Sequence, residues 1–102
     1  MKINLTKDIT NQKDSIVSKT ILKNDGGNVT LFAFDKGQAL SEHTAPFDAL
    51  FFCVEGNFSI SIGKETHIVS DGELILLPAN IPHAVLAESS SKCLLVMIKT
   101  PT

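Results

Sequence analysis

The sequence predicts a small all-β fold, a closed sandwich or barrel, from three observations. About eight or nine short segments rich in β-branched and apolar residues follow one another, each ended by Gly, Pro, Asn or Asp. No segment sustains the apolar period of a capped helix. The runs ALFFCV, LILL and LLVMI are apolar on both faces, as strands covered on both sides are.

Taken in order, residues 1–14 read as a polar arm in which Ile3 and Leu5 alternate with polar neighbours, a pattern compatible with a short strand. Residues 15–23 (SIVSKTILK) carry the β-branched side chains of a strand. Asn24-Asp25-Gly26-Gly27 is a turn, because Asn, Asp and Gly tolerate positive φ. The next strand, residues 28–35, sets Val29, Leu31 and Ala33 on one side and Thr30, Phe32 and Phe34 on the other. Residues 35–38 turn again, and a polar stretch leads to His43.

Residues 49–54 (ALFFCV) form the longest apolar run, closed by a Glu55-Gly56-Asn57 turn. Phe58, Ile60 and Ile62 alternate as buried positions with Ser59 and Ser61 outward. Gly63-Lys64-Glu65 turns into a strand at 66–69, which carries His67, expected at a surface or strand edge. Asp71-Gly72 turns into a strand at 74–77. Pro78 and Pro82 then forbid regular structure before His83. A strand at 84–87, a solvated turn at 88–92 and a last strand at 93–98 complete the chain.

At 102 residues the chain is expected to form an arm (1–14) and one domain (15–102). Its 43% hydrophobic content supports a packed core, yet no run nears the ~20 apolar residues of a membrane-spanning helix. No membrane partner is therefore expected. The first fourteen residues have neither the apolar core nor the cleavage site of a signal peptide, so a cytoplasmic location is expected. Cys53 and Cys93 lack CxxC or metal-knuckle spacing and read as small buried hydrophobes in a reducing compartment.

The net charge is −2 and no basic stripe exists, which argues against a nucleic-acid partner. All nine basic residues are lysine, and Tyr and Trp are absent. The chain thus lacks the guanidinium fork for carboxylates and phosphates, the phenolic donor and the large stacking faces. Any pocket is expected to take a small neutral or apolar ligand. Because the apolar runs need cover on their second face, a homodimer is expected.

Two blocks carry the chemistry. Gly37, His43 and Gly56 fall in register with the pattern G-x5-H-x-H-x3-E-x6-G, and Gly72, Pro78 and His83 with G-x5-P-x-G-x2-H-x3-N. Spanning Gly37 to Ala87, about half the chain, these blocks resemble the paired signatures of the cupin superfamily, and most closely short single-domain cupin-2-type proteins. The resemblance implies a double-stranded β-helix, the RmlC-like jelly-roll barrel. It also implies a metal held by two histidines and a glutamate of the first block and the histidine of the second. Here the second histidine position is Ala45 and the glutamate position Ala49, while Asn80 replaces a glycine and Ala87 an asparagine.

The implied metal site is therefore degenerate, reduced to His43 and His83 as candidate ligands of a divalent metal (Zn, Ni, Fe or Cu). Tight sites generally use three or four protein ligands. Strand alternation points the neighbouring Glu42 and Asp48 away. The leading expectation is a small-molecule-binding protein of unassigned ligand, with His43, Phe47, Ala49, Phe51, Cys53, His83 and Met97 around the site. The alternative is a metal-dependent oxygenase or isomerase using His43 and His83; a purely structural module would instead leave the barrel filled and dry. Phe47 and Phe51 are expected to flank the mouth. Cys53 is the residue other than histidine most expected to touch a ligand.

Overall fold

A computed structural model describes residues 1–100, so the expected domain end at 102 lies outside the described residues. Among the described residues nine strands form: β1 (Ile16–Asn24), β2 (Gly27–Phe34), β3 (Ala39–His43), β4 (Phe47–Glu55), β5 (Asn57–Ile62), β6 (Glu65–Ser70), β7 (Leu74–Leu77), β8 (His83–Ala87) and β9 (Ser91–Lys99). No helix forms among the described residues. One sheet has the order β1-β2-β9-β4-β7 and the other β3-β8-β5-β6. Every pairing is antiparallel, and chain-distant strands lie side by side. This is the jelly-roll barrel predicted from the sequence.

Strand β3 escapes sequence reading because its five residues, ALSEH, are nearly all exposed and carry no apolar alternation. Tertiary pairing with β8 makes it a strand. No strand forms at Ile3 and Leu5; the arm instead turns at Asn4, whose side-chain oxygen accepts from the Thr6 and Lys7 amides. The turn at 88–92 differs from expectation too. Ser91 is fully buried and Lys92 reaches back along the arm to the Thr6 carbonyl and to Glu55, so the turn is a docking point rather than a solvated loop.

The core lies between the sheets. Phe34, Phe51 and Phe58 are its aromatic centre, with Phe58 edge-on to Phe34 at 5.3 Å and to Phe51 at 4.9 Å. Such contacts add to the area term through the ring quadrupole. A smaller cluster sits outside the five-stranded sheet, where Ile3, Leu5 and Ile9 of the arm cover Leu31, Ala33 and Leu94. The arm thus explains why β2 is apolar on both faces.

Gly56, between β4 and β5, has φ 96°, a conformation that L side chains resist. A Cβ there would overlap Ser91 Oγ and sit 2.7 Å from Ser91 Cβ. This glycine lets the β4–β5 turn pack on the buried serine, which accepts from the Asn57 amide at 3.0 Å.

Candidate functional site

β3 and β8 pair so that His43 and His83 are register partners at the end of the four-stranded sheet. A bulge between Leu40 and His43 shifts the β3 register just before the histidine. Pro78 and Pro82 bracket the turn entering β8, and Asn80 takes the left-handed conformation at φ 63°. Its amide donates to the Ala45 carbonyl at 2.8 Å, tying the two histidine-bearing segments together.

The imidazoles stand edge to face, ring centroids 4.4 Å apart. Each is anchored in the same way. His43 Nδ1 lies 2.6 Å from the Ser41 carbonyl and His83 Nδ1 3.2 Å from the Ile81 carbonyl. A carbonyl oxygen only accepts, so each Nδ1 carries a proton, and a ring in its neutral form has Nε2 as a lone-pair acceptor. Two acceptors cannot bond one another. No buried polar side-chain atom lacks a partner among the described residues, so Nε2 of His83 keeps contact with solvent although the residue is only 8% exposed. Burial lowers the His83 pKa from its usual 6.5; the bond to Ile81 opposes this and neighbouring His43 adds to it.

Behind the rings lies a chamber of about 40 Å³, walled by Phe34, Phe51, Leu77, Leu95 and Cys93. A water needs roughly 10–15 Å³, so the chamber holds about three or four non-hydrogen atoms. A larger depression of about 520 Å³ opens elsewhere, between the free edges of β6 and β7. It is shallow, and carries His67 beside Glu65 at 3.4 Å on the edge strand.

The sequence-predicted residues therefore separate. His43, His83 and Phe51 meet at the chamber. Phe47 lies away from it, beside Lys23 and Lys99 in a surface depression. Ala49 and Met97 pack in or against the core without walling the chamber. Cys53 is also inward but one layer off, its thiol directed to the Gly56 carbonyl at 3.4 Å. Cys93, its register partner, takes the wall position. Strand period sets the face of Cys53 correctly but not its depth, which depends on barrel tilt. Glu42 is exposed, and Asp48 accepts from the Ala79 amide at 2.9 Å outside the chamber.

No group of three or more His, Cys, Asp and Glu side chains stands close enough to hold a metal among the described residues. The donor set of two imidazoles does not fit the four-ligand site that the signature blocks imply. Ala45 and Ala49 offer no donor atom.

A sequence profile of the cupin domain matches residues 30–99. An uncharacterised Streptomyces coelicolor protein, SCO3923, is 31% identical over 74 residues, covering 72% of this chain and 70% of its own. Among solved structures, the conserved SPY1581 protein of unknown function from Streptococcus pyogenes is similar at 33% identity and a TM-score of 0.94. That match covers 100% of this chain and 90% of the other. A cupin 2 conserved barrel domain protein from Leptotrichia buccalis is 39% identical with a TM-score of 0.91, over 95% of this chain and 47% of the other. This chain therefore spans about half of that protein.

Proposed function

The chain belongs to the cupin domain family, and from that premise we propose that it is a small-molecule-binding cupin whose degenerate two-histidine site takes a small neutral ligand at the barrel mouth. One observation carries the reading: two imidazoles with ring centroids 4.4 Å apart wall an apolar chamber of about 40 Å³, each with Nδ1 tied to a backbone carbonyl, so that each ring in its neutral form has Nε2 free as an acceptor. Such a pair is complemented by an O–H or N–H donor on a small, mainly apolar body. Chamber size and the lack of arginine oppose sugars, phosphates and carboxylates.

The test follows the Nε2 resonances of both histidines by nitrogen-15 NMR while short alcohols and amides (ethanol, acetamide) are titrated in. Saturable shifts, absent in His43→Ala and His83→Ala, are expected. Unmoved resonances across the panel would refute the reading.

The same anchoring also supports the metal-dependent alternative, because an Nδ1–H bond to a carbonyl is the usual way a ligating histidine is oriented. His43 and His83 would then be the only protein ligands and the remaining positions would fall to water or substrate. Metal analysis of protein purified without a histidine tag separates the two. Sub-stoichiometric metal agrees with the binding module; near-unit metal, lost in the His43→Ala, His83→Ala double variant, favours the enzyme.

We also infer that a second copy of this chain covers the half of the five-stranded sheet that the arm leaves bare. Val96 and Ile98 of β9, Leu50 and Phe52 of β4 and Leu74 and Leu76 of β7 adjoin in register on its outer face. Four of them, Leu50, Leu74, Leu76 and Ile98, are exposed. The surface of 6096 Å² exceeds the roughly 5,600 Å² of a compact monomer of this mass. These six apolar side chains, bordered by Asp48 opposite Ile98, suit a self-complementary two-fold contact. Light scattering should give twice the 11.0 kDa chain mass, reduced to one chain by Leu74→Lys with Leu76→Lys. A wild-type mass of one chain at micromolar concentration refutes the contact.

A further inference from the structure

The core contains a second chemically distinctive pair, which the ligand-binding reading does not use. Cys53 of β4 and Cys93 of β9 are cross-strand register partners, both free, both fully buried and both in the core between the sheets. The backbone shows which kind of pair they form. Cys53 donates its amide to the Glu73 carbonyl at 2.8 Å, and its carbonyl accepts from the Gly72 amide at 2.8 Å. Both backbone groups therefore point away from β9, which makes Cys53–Cys93 a non-hydrogen-bonded antiparallel pair. In such pairs the Cα atoms approach to ~4.5 Å and the side chains are at their closest. That spacing falls inside the ~4.4–6.8 Å range a disulfide needs.

We propose that Cys53 and Cys93 are an oxidation site, a dithiol that peroxide closes into a cross-strand disulfide within the native barrel. The mouth chamber, whose wall Cys93 joins and whose volume takes the two oxygen atoms of a peroxide, is the route we assign; Cys93 is fully buried at rest, so entry requires local opening of that wall. The Cys93 thiolate attacks one peroxide oxygen, the O–O bond breaks, and sulfenic acid and hydroxide form. The Cys53 thiolate then attacks the Cys93 sulfur, forming S–S and displacing the second oxygen as hydroxide. The hydroxides take up the two thiol protons, so two thiols and one peroxide give one disulfide and two waters. Closure requires Cys53 to turn from the Gly56 carbonyl toward Cys93, at the cost of one weak S–H bond.

Burial keeps both thiols protonated at neutral pH, Cys53 being pushed up to about 11 with Asp71 adding to the effect. Oxidation is therefore slow at pH 7 and accelerates toward pH 10. The inference rests on the β4–β9 register and not on the histidine site, so failure of either leaves the other standing.

The test incubates reduced, folded protein with hydrogen peroxide at pH 7 and pH 9.5 and reads intact mass and far-UV circular dichroism. A species lighter by two hydrogens, monomeric in its covalent linkage, is expected to form at least about tenfold faster at the higher pH. Its spectrum should stay native and its melting temperature should rise by several degrees. Cys53→Ser should give only oxygen-addition products. As a second route, protein refolded in oxidised glutathione should yield the same species with a native spectrum. Independent oxygen additions on both cysteines, a disulfide with a non-native spectrum, or retention of both thiols after both treatments would each overturn the proposal.

Discussion

Replacing Phe51 by alanine tests whether the chamber wall is part of the core or a ligand aperture that the fold tolerates losing. Phe51 is 3% exposed, contacts Phe58 edge-on at 4.9 Å and walls the chamber beside the histidines. Deleting a buried phenyl costs about 3–5 kcal/mol through lost transfer energy and the cavity left behind. The edge-on contact, about 0.5–1.5 kcal/mol, is part of that total. Against a stability of roughly 5–15 kcal/mol for a domain of this size, the variant loses a large share of its stability and melts roughly 12–40 °C lower. Phe47→Ala is the matched control. It removes the same atoms from the same face of β4, but from a partly exposed site off the chamber, and should cost less than about 1.5 kcal/mol. With no tryptophan or tyrosine, unfolding is best followed in urea by far-UV circular dichroism. Equal losses for the two variants, or a Phe51→Ala loss below about 1.5 kcal/mol, would refute the division into wall and rim.

Three further outcomes follow from the same geometry. Gly56→Ala should cost about 2–3 kcal/mol by adding left-handed strain to a displaced Ser91, whereas Gly37→Ala, at φ 85° in open space, should show only the backbone part; denaturant midpoints of the two compare them directly. His83 has a folded pKa below its usual 6.5, so the unfolded chain binds more protons between those values. Its contribution is complete above pH 6.5 and is lost as pH falls through the folded value, giving a melting-temperature decline below pH 6.5 that His83→Gln flattens. Cys53 has the opposite sign: a folded pKa of about 11 against the usual 9.0 stabilises fully below pH 9 and is lost as pH rises toward 11, a decline that Cys53→Ala should reduce in melts at pH 8 and 10.5.

The dependence of the site on depth explains which residues were legible. The in-register glycines, Pro78 and the two histidines announce turns and a mouth, because those positions require special backbone conformations or polar side chains wherever they occur. Alternation in ALFFCV identifies Ala49, Phe51 and Cys53 as one face, and all three do face the core. Period alone does not say how far down the barrel each sits. Strand tilt, set by closure of both sheets, puts Phe51 at the chamber, Ala49 off it and Cys53 below it, and brings Cys93 from a distant strand to the wall.

By itself the sequence determined an all-β chain and eight of its strands, since period, glycine and proline act within a few residues. It likewise determined the reduction of the signature site to His43 and His83, because alanine at 45 and 49 has no donor atom wherever the backbone goes. Only tertiary structure decided that β3 exists, that the arm covers half of one sheet, and that the chamber holds about three or four non-hydrogen atoms. It alone tied each imidazole to a carbonyl and set Cys53 opposite Cys93. These depend on pairings between residues tens of positions apart, which no local pattern encodes.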